Sequence, residues 1–192
     1  EIHERLVGSE MCIRDSRLIE PFAGMAAITI AVSRLNKAQS YRLNDLNTPL
    51  VSVLEEVINN PQRLLDDYTR VWSEQLTYEE GGVAHYYKVR DDFNNGNQCA
   101  ANMLYLLARC VKGSVRYGNN GQFNQSPDKR RKGTSPTNLA RNIFRISNYL
   151  KNRTEFSSID YREVLQMTNP GDIVYMDPPL SLIHISEPTR RS

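Results

Sequence analysis

The sequence has 192 residues, with 24 basic and 22 acidic side chains, 40% hydrophobic residues and a formal net charge of +2. This composition excludes a disordered or fibrous chain, and no apolar run approaches the roughly 18 residues that a membrane-spanning helix needs. The three cysteines form no CxxC pair, which argues against a disulfide framework or a thiolate metal site, so we predict no metal ligands. The length suits one domain, or one domain with an insertion.

The two ends of the chain are related to each other when they are read as DNA. Residues 180–190 back-translate to a nucleotide segment whose reverse complement encodes residues 6–15. This segment matches a common sequencing adapter, so we expect residues 1–16 and 180–192 to be translated adapter. We therefore treat residues 17–179 as a protein fragment truncated at both ends, and we expect the chain as written to have little activity.

Hydrophobic periodicity and turn signals predict the elements of the remaining sequence. The predicted strands are 17–22, 40–45, 155–160 and 170–179. The predicted helices are 23–35 after an initial turn, 48–58, 61–76, 84–94, 98–111, 138–150 and 161–167. Strand–helix–strand units at both ends enclose a helical middle, and this order predicts an α/β sheet with a large insertion.

Charge is distributed unevenly along the chain. Residues 44–98 contain ten acidic and four basic side chains, whereas residues 109–153 contain eleven basic side chains and one acidic. A basic segment of this density indicates nucleic-acid binding, although a solvated basic face has the same composition. Residues 112–136 are rich in glycine and asparagine and predict a loop or hairpin, in which VRY and QFN pair across GNNG.

Polar motifs follow three of the predicted strands. They are EPFAG at 20–24, Asn44-Asp45, and Asp-Pro-Pro at 177–179. In open α/β sheets, ligands bind at the carboxyl ends of the strands. Gly24 lets the backbone approach a ligand closely, and Asp45 at the end of the second strand suits the hydroxyls of a ribose. Each motif alone is also typical of an ordinary strand end, so the binding site is indicated by the three together.

These motifs resemble those of the Dam-like DNA adenine methyltransferases, which include enzymes of restriction–modification systems and phages. EPFAG resembles the first motif for S-adenosyl-L-methionine (AdoMet), and GDIVYMDPP at 171–179 resembles the strand and start of the catalytic Asp-Pro-Pro-Tyr motif. The other similar segments are NDLN (44–47), YYKVRDDFN (86–94), RYGNNGQFN (116–124) and DYREVL (160–165). The resemblance covers essentially all of residues 17–179.

The sequence departs from the family pattern at three points. The opening lysine-containing motif would precede Arg17, inside the expected adapter. The aromatic residue after Asp-Pro-Pro is Leu180, which also lies in the expected adapter. The second glycine of the first motif is replaced by Ala26 or absent.

The resemblance implies a Rossmann-like AdoMet-dependent methyltransferase sheet formed by residues 17–47 and 154–179. Residues 48–153 would form a mostly helical target-recognition insertion with a basic hairpin at 112–136. The implied enzyme is cytoplasmic, encoded by a bacterium or phage, and independent of membranes. It would transfer a methyl group from AdoMet to the exocyclic amine of adenine in double-stranded DNA after base flipping, and a cognate restriction endonuclease is an expected functional partner. Alternative interpretations are a non-catalytic DNA-binding relative and a methyltransferase acting on RNA or a protein amide.

The resemblance also implies roles for individual residues. The expected catalytic residues are Asp177, Pro178 and Pro179, with the Asp177 carboxylate and the Pro178 carbonyl accepting from the two hydrogens of the target amine. The expected cofactor-binding residues are Glu20, Pro21, Phe22, Ala23, Gly24, Asp45, Asp160, Tyr161 and Asp177. The expected DNA-binding residues are Arg109, Lys112, Arg116, Tyr117, Asn120, Asn124, Lys129, Arg130, Arg131 and Lys132, with Arg141 and Arg145 as further phosphate contacts.

Simpler interpretations exist for three of these assignments. Asp160 is a good helix N-cap, and Asn119-Asn120-Gly121 is a good turn sequence. The basic stretch at 128–132 is also compatible with a solvated loop.

Overall fold

The computed structural model describes residues 16–178. The strands are β1 Arg17–Glu20, β2 Ser40–Asn44, β3 Thr154–Ser157 and β4 Ile173–Val174. The helices are α1 Ala27–Arg34, α2 Thr48–Asn59, α3 Pro61–Glu74, α4 Val83–Asn94, α5 Ala100–Arg109, α6 Pro136–Leu150 and α7 Tyr161–Gln166, with 3₁₀ turns at Gln75–Thr77, Glu80–Gly82 and Val111–Gly113. This element order matches the predicted one, and β4 is shorter than its predicted range.

The four strands form a parallel sheet in the order β3–β2–β1–β4. The chain proceeds outward from β1 through β2 to β3, and it then returns to add β4 on the other side of β1. The strand order therefore reverses between β1 and β4, which is the position at which open α/β sheets bind ligands. The predicted α/β, Rossmann-like fold is confirmed.

An ion pair holds the short strand β4 beside β1. Arg17 Nη2 lies 2.7 Å from the Asp172 carboxylate, which is only 10% exposed. The Arg17 guanidinium holds the pKa of Asp172 below its usual range. Because Asp172 immediately precedes β4, this contact fixes where the strand begins and hence where its carboxyl end emerges.

Helix starts follow from local capping signals. Asn47 caps α2 by accepting a hydrogen bond from the Leu50 N–H, and Ser135 caps α6 in the same way through the Asn138 N–H. Proline occupies the first turn of α2, α3 and α6. Proline there has a favourable φ and forgoes no intrahelical hydrogen bond. These signals explain why the predicted helix starts at 48 and 61 are correct.

One hydrophobic cluster joins the sheet to the helices that follow it. It includes Leu18 and Leu43 from the sheet, Val53 from α2, Tyr105 from α5 and Phe123 from the segment between α5 and α6. The segment 48–153 therefore shares its core with the sheet. Within residues 16–178, no helix has both the length and the apolar composition required to cross a bilayer.

Asn44, the last residue of β2, connects the segments that follow both neighbouring strands. Its Nδ2 donates to the Pro21 carbonyl after β1 (2.9 Å) and to the Ile159 carbonyl after β3 (3.0 Å). Its Oδ1 accepts from the Ser157 hydroxyl (2.8 Å) and from the Ile159 N–H (3.1 Å). The residue is 1% exposed, so water cannot replace these partners, and Asn44 sets the spacing between the two turns.

We expect Asn44→Ala to lower the free energy of unfolding by about 3 kcal/mol, because several buried polar groups lose their partner together. Urea unfolding followed by circular dichroism measures the change. Asn148→Ala is the matched control, since Asn148 is exposed on α6, and it should alter stability by less than about 0.5 kcal/mol. Similar losses in both variants would contradict the role given to Asn44.

Candidate functional site

The segment after β1 forms a tight turn against the end of β2. The Ala23 N–H donates to the Asn44 carbonyl (2.8 Å), and the Ala26 N–H donates to the Ala23 carbonyl (2.7 Å). Gly24 has a φ of +52°, and a Cβ at this position would meet no atom within 4 Å. Backbone conformation, and not crowding, therefore favours glycine here. The turn leads from the sheet edge directly into α1.

Asp45 connects this turn to the start of α2. One carboxylate oxygen accepts from the Gly24 N–H (3.0 Å), and the other accepts from the Asn47 N–H (2.9 Å). The residue is half-buried. Each carboxylate oxygen can accept a second hydrogen bond, so Asp45 retains capacity for hydroxyl donors. Asp45 therefore contacts the EPFAG turn directly, and its role toward a ribose stays a prediction.

Glu20, the last residue of β1, is a buried carboxyl group that is 2% exposed. Its Oε1 accepts from the Thr29 N–H in α1 at 3.3 Å, whereas Oε2 has no hydrogen-bond partner among the described residues. Burial raises the pKa of Glu20, and hydrogen bonding from Thr29 partly offsets the rise. A buried acceptor without a donor is uncommon in proteins, and this oxygen retains unused hydrogen-bonding capacity.

Two aromatic rings meet near the same edge of the sheet. The ring of Phe22, from the turn after β1, lies 5.1 Å from the ring of Tyr161 at the start of α7. Asp160 caps α7 by accepting from the Arg162 N–H (2.8 Å). The N-cap interpretation of Asp160 is therefore confirmed, and its role toward a cofactor stays a prediction.

The Asp-Pro-Pro segment emerges beside the turn after β1. The Tyr175 N–H donates to the Ile19 carbonyl (2.9 Å), so the contact with β1 continues one residue beyond β4. Asp177 and Pro178 follow as exposed residues. Because β1 and β4 are parallel neighbours, both segments leave the sheet at its carboxyl edge. Pro179, the third expected catalytic residue, lies outside the described residues.

Residues 116–124 form the predicted hairpin. Tyr117 and Phe123 form an antiparallel bridge, and the Gly118 N–H donates to the Gln122 carbonyl (2.8 Å). The Asn120 side chain accepts from the Gln122 N–H (3.2 Å), so its interpretation as a turn residue is confirmed. Arg116, Asn120 and Asn124 are exposed, and their contacts with DNA stay predictions.

Arg109 differs from its predicted role. It is 1% exposed, and its guanidinium donates to the carbonyls of Gly81 (2.6 Å), Asp128 (3.1 Å) and Arg131. A guanidinium enclosed by backbone carbonyls is not available to a phosphate, so the predicted phosphate contact is wrong for this residue. Arg109 instead fixes the path of the basic loop 128–132 from the end of α5.

The basic loop presents its side chains outward while helices hold its backbone. The Lys132 carbonyl accepts from the Trp72 indole N–H (3.0 Å) and from Gln75 Nε2 (3.1 Å). Arg131 pairs with Asp128 at 2.9 Å. The exposed basic residues of this region are Lys112, Lys129, Arg130, Arg131 and Lys132. This arrangement suits either a solvated loop or a phosphate-binding surface.

Two asparagines without a predicted individual role organise the hairpin. Asn94 at the end of α4 accepts from the Phe123 N–H (2.9 Å) and donates to the Phe123 carbonyl (3.1 Å). Asn47 accepts from the Tyr117 hydroxyl at 3.1 Å. Asn94 lies in the segment YYKVRDDFN and Asn47 lies in the segment NDLN, and both segments resemble those of the family. The resemblance indicates that these residues matter, but it does not identify their hydrogen-bond partners.

The family model and the relatives that match this chain all carry methyltransferase or methylase names. The family model described as D12 class N6 adenine-specific DNA methyltransferase matches residues 2–183. The type II methyltransferase M.MjaIII of Methanocaldococcus jannaschii is 31% identical over 170 residues, which cover 85% of this chain. The retron Ec67 DNA adenine methylase of Escherichia coli is 29% identical over 168 residues, and the DNA N-6-adenine-methyltransferase of Escherichia phage P1 is 28% identical over 169 residues. Each of the latter two matches also covers 85% of this chain.

The chain spans part of the length of each relative. The match covers 58% of the archaeal protein, 54% of the retron protein and 20% of the phage protein.

We expect Arg109→Lys to lower the free energy of unfolding by about 2–3 kcal/mol, because lysine keeps the charge but cannot reach three carbonyls with a planar group. Amide hydrogen exchange in residues 128–134 should accelerate in the variant. Arg130→Lys is the control at an exposed position of the same loop and should leave both measurements unchanged. Unaltered exchange in Arg109→Lys would contradict the assigned role.

Glu20→Gln should increase stability near neutral pH. Because the pKa of Glu20 is raised in the fold, the folded state binds the proton more tightly than the unfolded chain does. The stability from protonated Glu20 is therefore complete at acid pH and is lost as the pH rises. Urea unfolding from about pH 4 to about pH 8 measures the free energy of unfolding of both proteins, and the value for the variant relative to the wild type should increase toward neutral pH. Glu55→Gln, at an exposed site on α2, should not show this increase. If the stability of Glu20→Gln depends on pH in the same way as that of the wild type, Glu20 does not have a raised pKa in the fold.

Proposed function

Because this chain belongs to the D12 class N6 adenine-specific DNA methyltransferase family, we propose that it transfers a methyl group from AdoMet to the exocyclic amine of adenine in duplex DNA. The observation that carries the proposal is the shared carboxyl edge of β1, β2 and β4. The EPFAG turn, Asp45 and Asp177-Pro178 leave the sheet at that edge. This shared edge supports a single site in which residues of the turn and Asp45 would bind the cofactor and Asp177-Pro178 would bind the target amine.

The residues at this edge fit AdoMet. Asp45 is a half-buried carboxylate with free acceptor capacity, which suits the ribose hydroxyls. The unpartnered Oε2 of Glu20 suits a cationic donor such as the amino group of the methionine part. The backbone from Phe22 to Gly24 would line that part, while Asp160 and Tyr161 would hold the adenine amine and ring. When bound, AdoMet supplies a methyl group that its sulfonium has already activated.

Asp177 and Pro178 would bind the target amine. The lone pair of this nitrogen is delocalised into the adenine ring, so the amine is a weak nucleophile. The Asp177 carboxylate and the Pro178 carbonyl would each accept one of its hydrogens, which favours a tetrahedral nitrogen and directs its lone pair. The proline ring restricts the backbone at this point, so catalysis would rest mainly on positioning and preorganised charge. The base must leave the duplex to reach the site, at a cost of a few kcal/mol.

DNA would bind along the exposed hairpin and the basic loop. Phosphate contacts supply affinity and register, and side chains in the grooves supply sequence recognition. The proposed contact residues that remain after the reassignment of Arg109 are Lys112, Arg116, Asn120, Asn124, Lys129, Arg130, Arg131 and Lys132, together with the ring of Tyr117, whose hydroxyl already binds Asn47. In this division of labour, residues 17–47 and 154–179 hold the cofactor and 48–153 recognise the target. A restriction endonuclease with the same target sequence is the proposed functional partner, since relatives carry type II methyltransferase names.

The test is transfer of label from tritiated AdoMet to adenine of unmethylated duplex DNA by the full-length gene product. Asp177→Asn should reduce transfer by at least about 100-fold, because a preorganised acceptor for the reacting amine is lost. Binding of DNA should change by less than about threefold, and binding of AdoMet measures separately the expected contact of Asp177 with the cofactor. Asp92→Asn is the matched control at an exposed position on α4 and should keep full activity.

The alternatives give different outcomes in the same assay. Tight DNA binding without label transfer would indicate a non-catalytic DNA-binding relative. Label in RNA or protein instead of DNA would assign a different substrate class, and either outcome would overturn the proposal.

A further inference from the structure

A single hydrogen bond connects the recognition hairpin to the cofactor edge of the sheet. The Tyr117 hydroxyl donates to Asn47 Oδ1 at 3.1 Å, between residues that are 70 positions apart in the sequence. Tyr117 lies in the first arm of the hairpin, and Asn47 lies two residues after Asp45. Tyr117 is one of the residues expected to contact DNA, whereas its hydroxyl binds protein in the structure.

On the hairpin side, Tyr117 belongs to a connected set of aromatic contacts and hydrogen bonds. Its ring packs edge-on against Phe123 with centroids 6.0 Å apart. Phe123 is 1% exposed, both of its backbone polar groups are bound by Asn94, and its ring also contacts Phe93. A displacement of the hairpin by a ligand would therefore be transmitted to the Tyr117 hydroxyl.

On the sheet side, Asn47 is equally constrained. The same Oδ1 that accepts from Tyr117 also accepts from the Leu50 N–H (3.3 Å) as the cap of α2. The Asn47 N–H donates to one oxygen of Asp45 (2.9 Å), and the other oxygen holds the Gly24 N–H (3.0 Å). Two further contacts thus connect the Tyr117 hydroxyl to the turn after β1.

The phenol remains a hydrogen-bond donor across the neutral range. Burial raises the pKa of Tyr117, the hydrogen bond to Asn47 lowers it, and the nearby negative charge of Asp45 raises it again.

We propose that Tyr117 is a positioning residue whose hydroxyl, through Asn47, couples DNA binding at the hairpin to AdoMet binding at Asp45 and Gly24. This inference rests on the proposed function, because it requires both ligands. Coupling is reciprocal: if DNA tightens cofactor binding through this contact, the cofactor tightens DNA binding by the same factor. A duplex seated on the hairpin would keep Asn47 and Asp45 in the cofactor-binding arrangement, and loss of the hydroxyl would leave the two sites intact but independent.

The chain offers a matched set of variants. Tyr117→Phe removes the hydroxyl and keeps the ring contact with Phe123. Asn47→Ser retains a good cap for α2, but its shorter side chain cannot reach Tyr117. Tyr149→Phe is the control, because Tyr149 lies on α6 and its hydroxyl makes no hydrogen bond within residues 16–178.

The experiment measures the affinity of the full-length gene product for S-adenosylhomocysteine, which prevents turnover, with and without saturating unmethylated duplex DNA. DNA should tighten this affinity in the wild type and in Tyr149→Phe. Tyr117→Phe and Asn47→Ser should each reduce the enhancement by about fivefold, the value of one neutral hydrogen bond. The double variant should lose no more than either single one. Affinity for each ligand alone should change by less than about twofold, and thermal unfolding should verify that the variants are folded.

Each contrary result has a distinct meaning. If both ligands bind and Tyr117→Phe keeps the wild-type enhancement, the coupling is refuted while the proposed function stands. If Tyr117→Phe weakens DNA binding equally with and without cofactor, and Asn47→Ser does not, the hydroxyl contacts DNA directly and the inference is wrong. If neither ligand binds the wild type, both the inference and the proposed function fail.

Discussion

The arrangement of the site depends on hydrogen bonds made by two consecutive residues at the end of β2. Asn44 binds the segments after β1 and β3, and Asp45 binds the turn after β1 and the start of α2. Parallel strands bring polar strand ends to one edge, but they do not determine how the following loops are spaced. The Asn44-Asp45 pair supplies that spacing, because its side chains hold backbone groups that belong to three separate segments.

The basic segment is organised differently. At the end of β2 the Asp45 carboxylate accepts hydrogen bonds from backbone N–H groups, whereas in the basic segment the Arg109 guanidinium donates to backbone carbonyls. Arg109 and the side chains of Trp72 and Gln75 hold carbonyls of the loop at 128–132. With its backbone fixed from inside, the loop can direct its lysines and arginines outward. Fewer basic side chains are therefore exposed than the sequence of this segment contains, because Arg109 is buried in the core.

Much of the fold is predictable from the sequence. Amphipathic periodicity, proline at helix starts and polar residues after strands identified the elements and the shared edge, and GNNG identified the hairpin. The environment of single side chains was not predictable. Arg109 ends an apolar helix, and no local pattern indicates that three carbonyls from distant segments surround it. The contact between Tyr117 and Asn47 spans 70 positions, and a contact of that separation is determined by packing alone. The Asp160 cap was foreseeable because N-caps act within three residues of sequence.

We propose that one cleft at the carboxyl edge of the sheet receives both the cofactor and an extruded adenine. A crystal structure of the full-length gene product with S-adenosylhomocysteine and its duplex target would test this most directly. We predict density for the cofactor against Phe22–Gly24 and Asp45, with an unstacked purine whose amine faces Asp177 and Pro178. A cofactor bound elsewhere, or a duplex held with all of its bases stacked in the catalytic complex, would contradict the account.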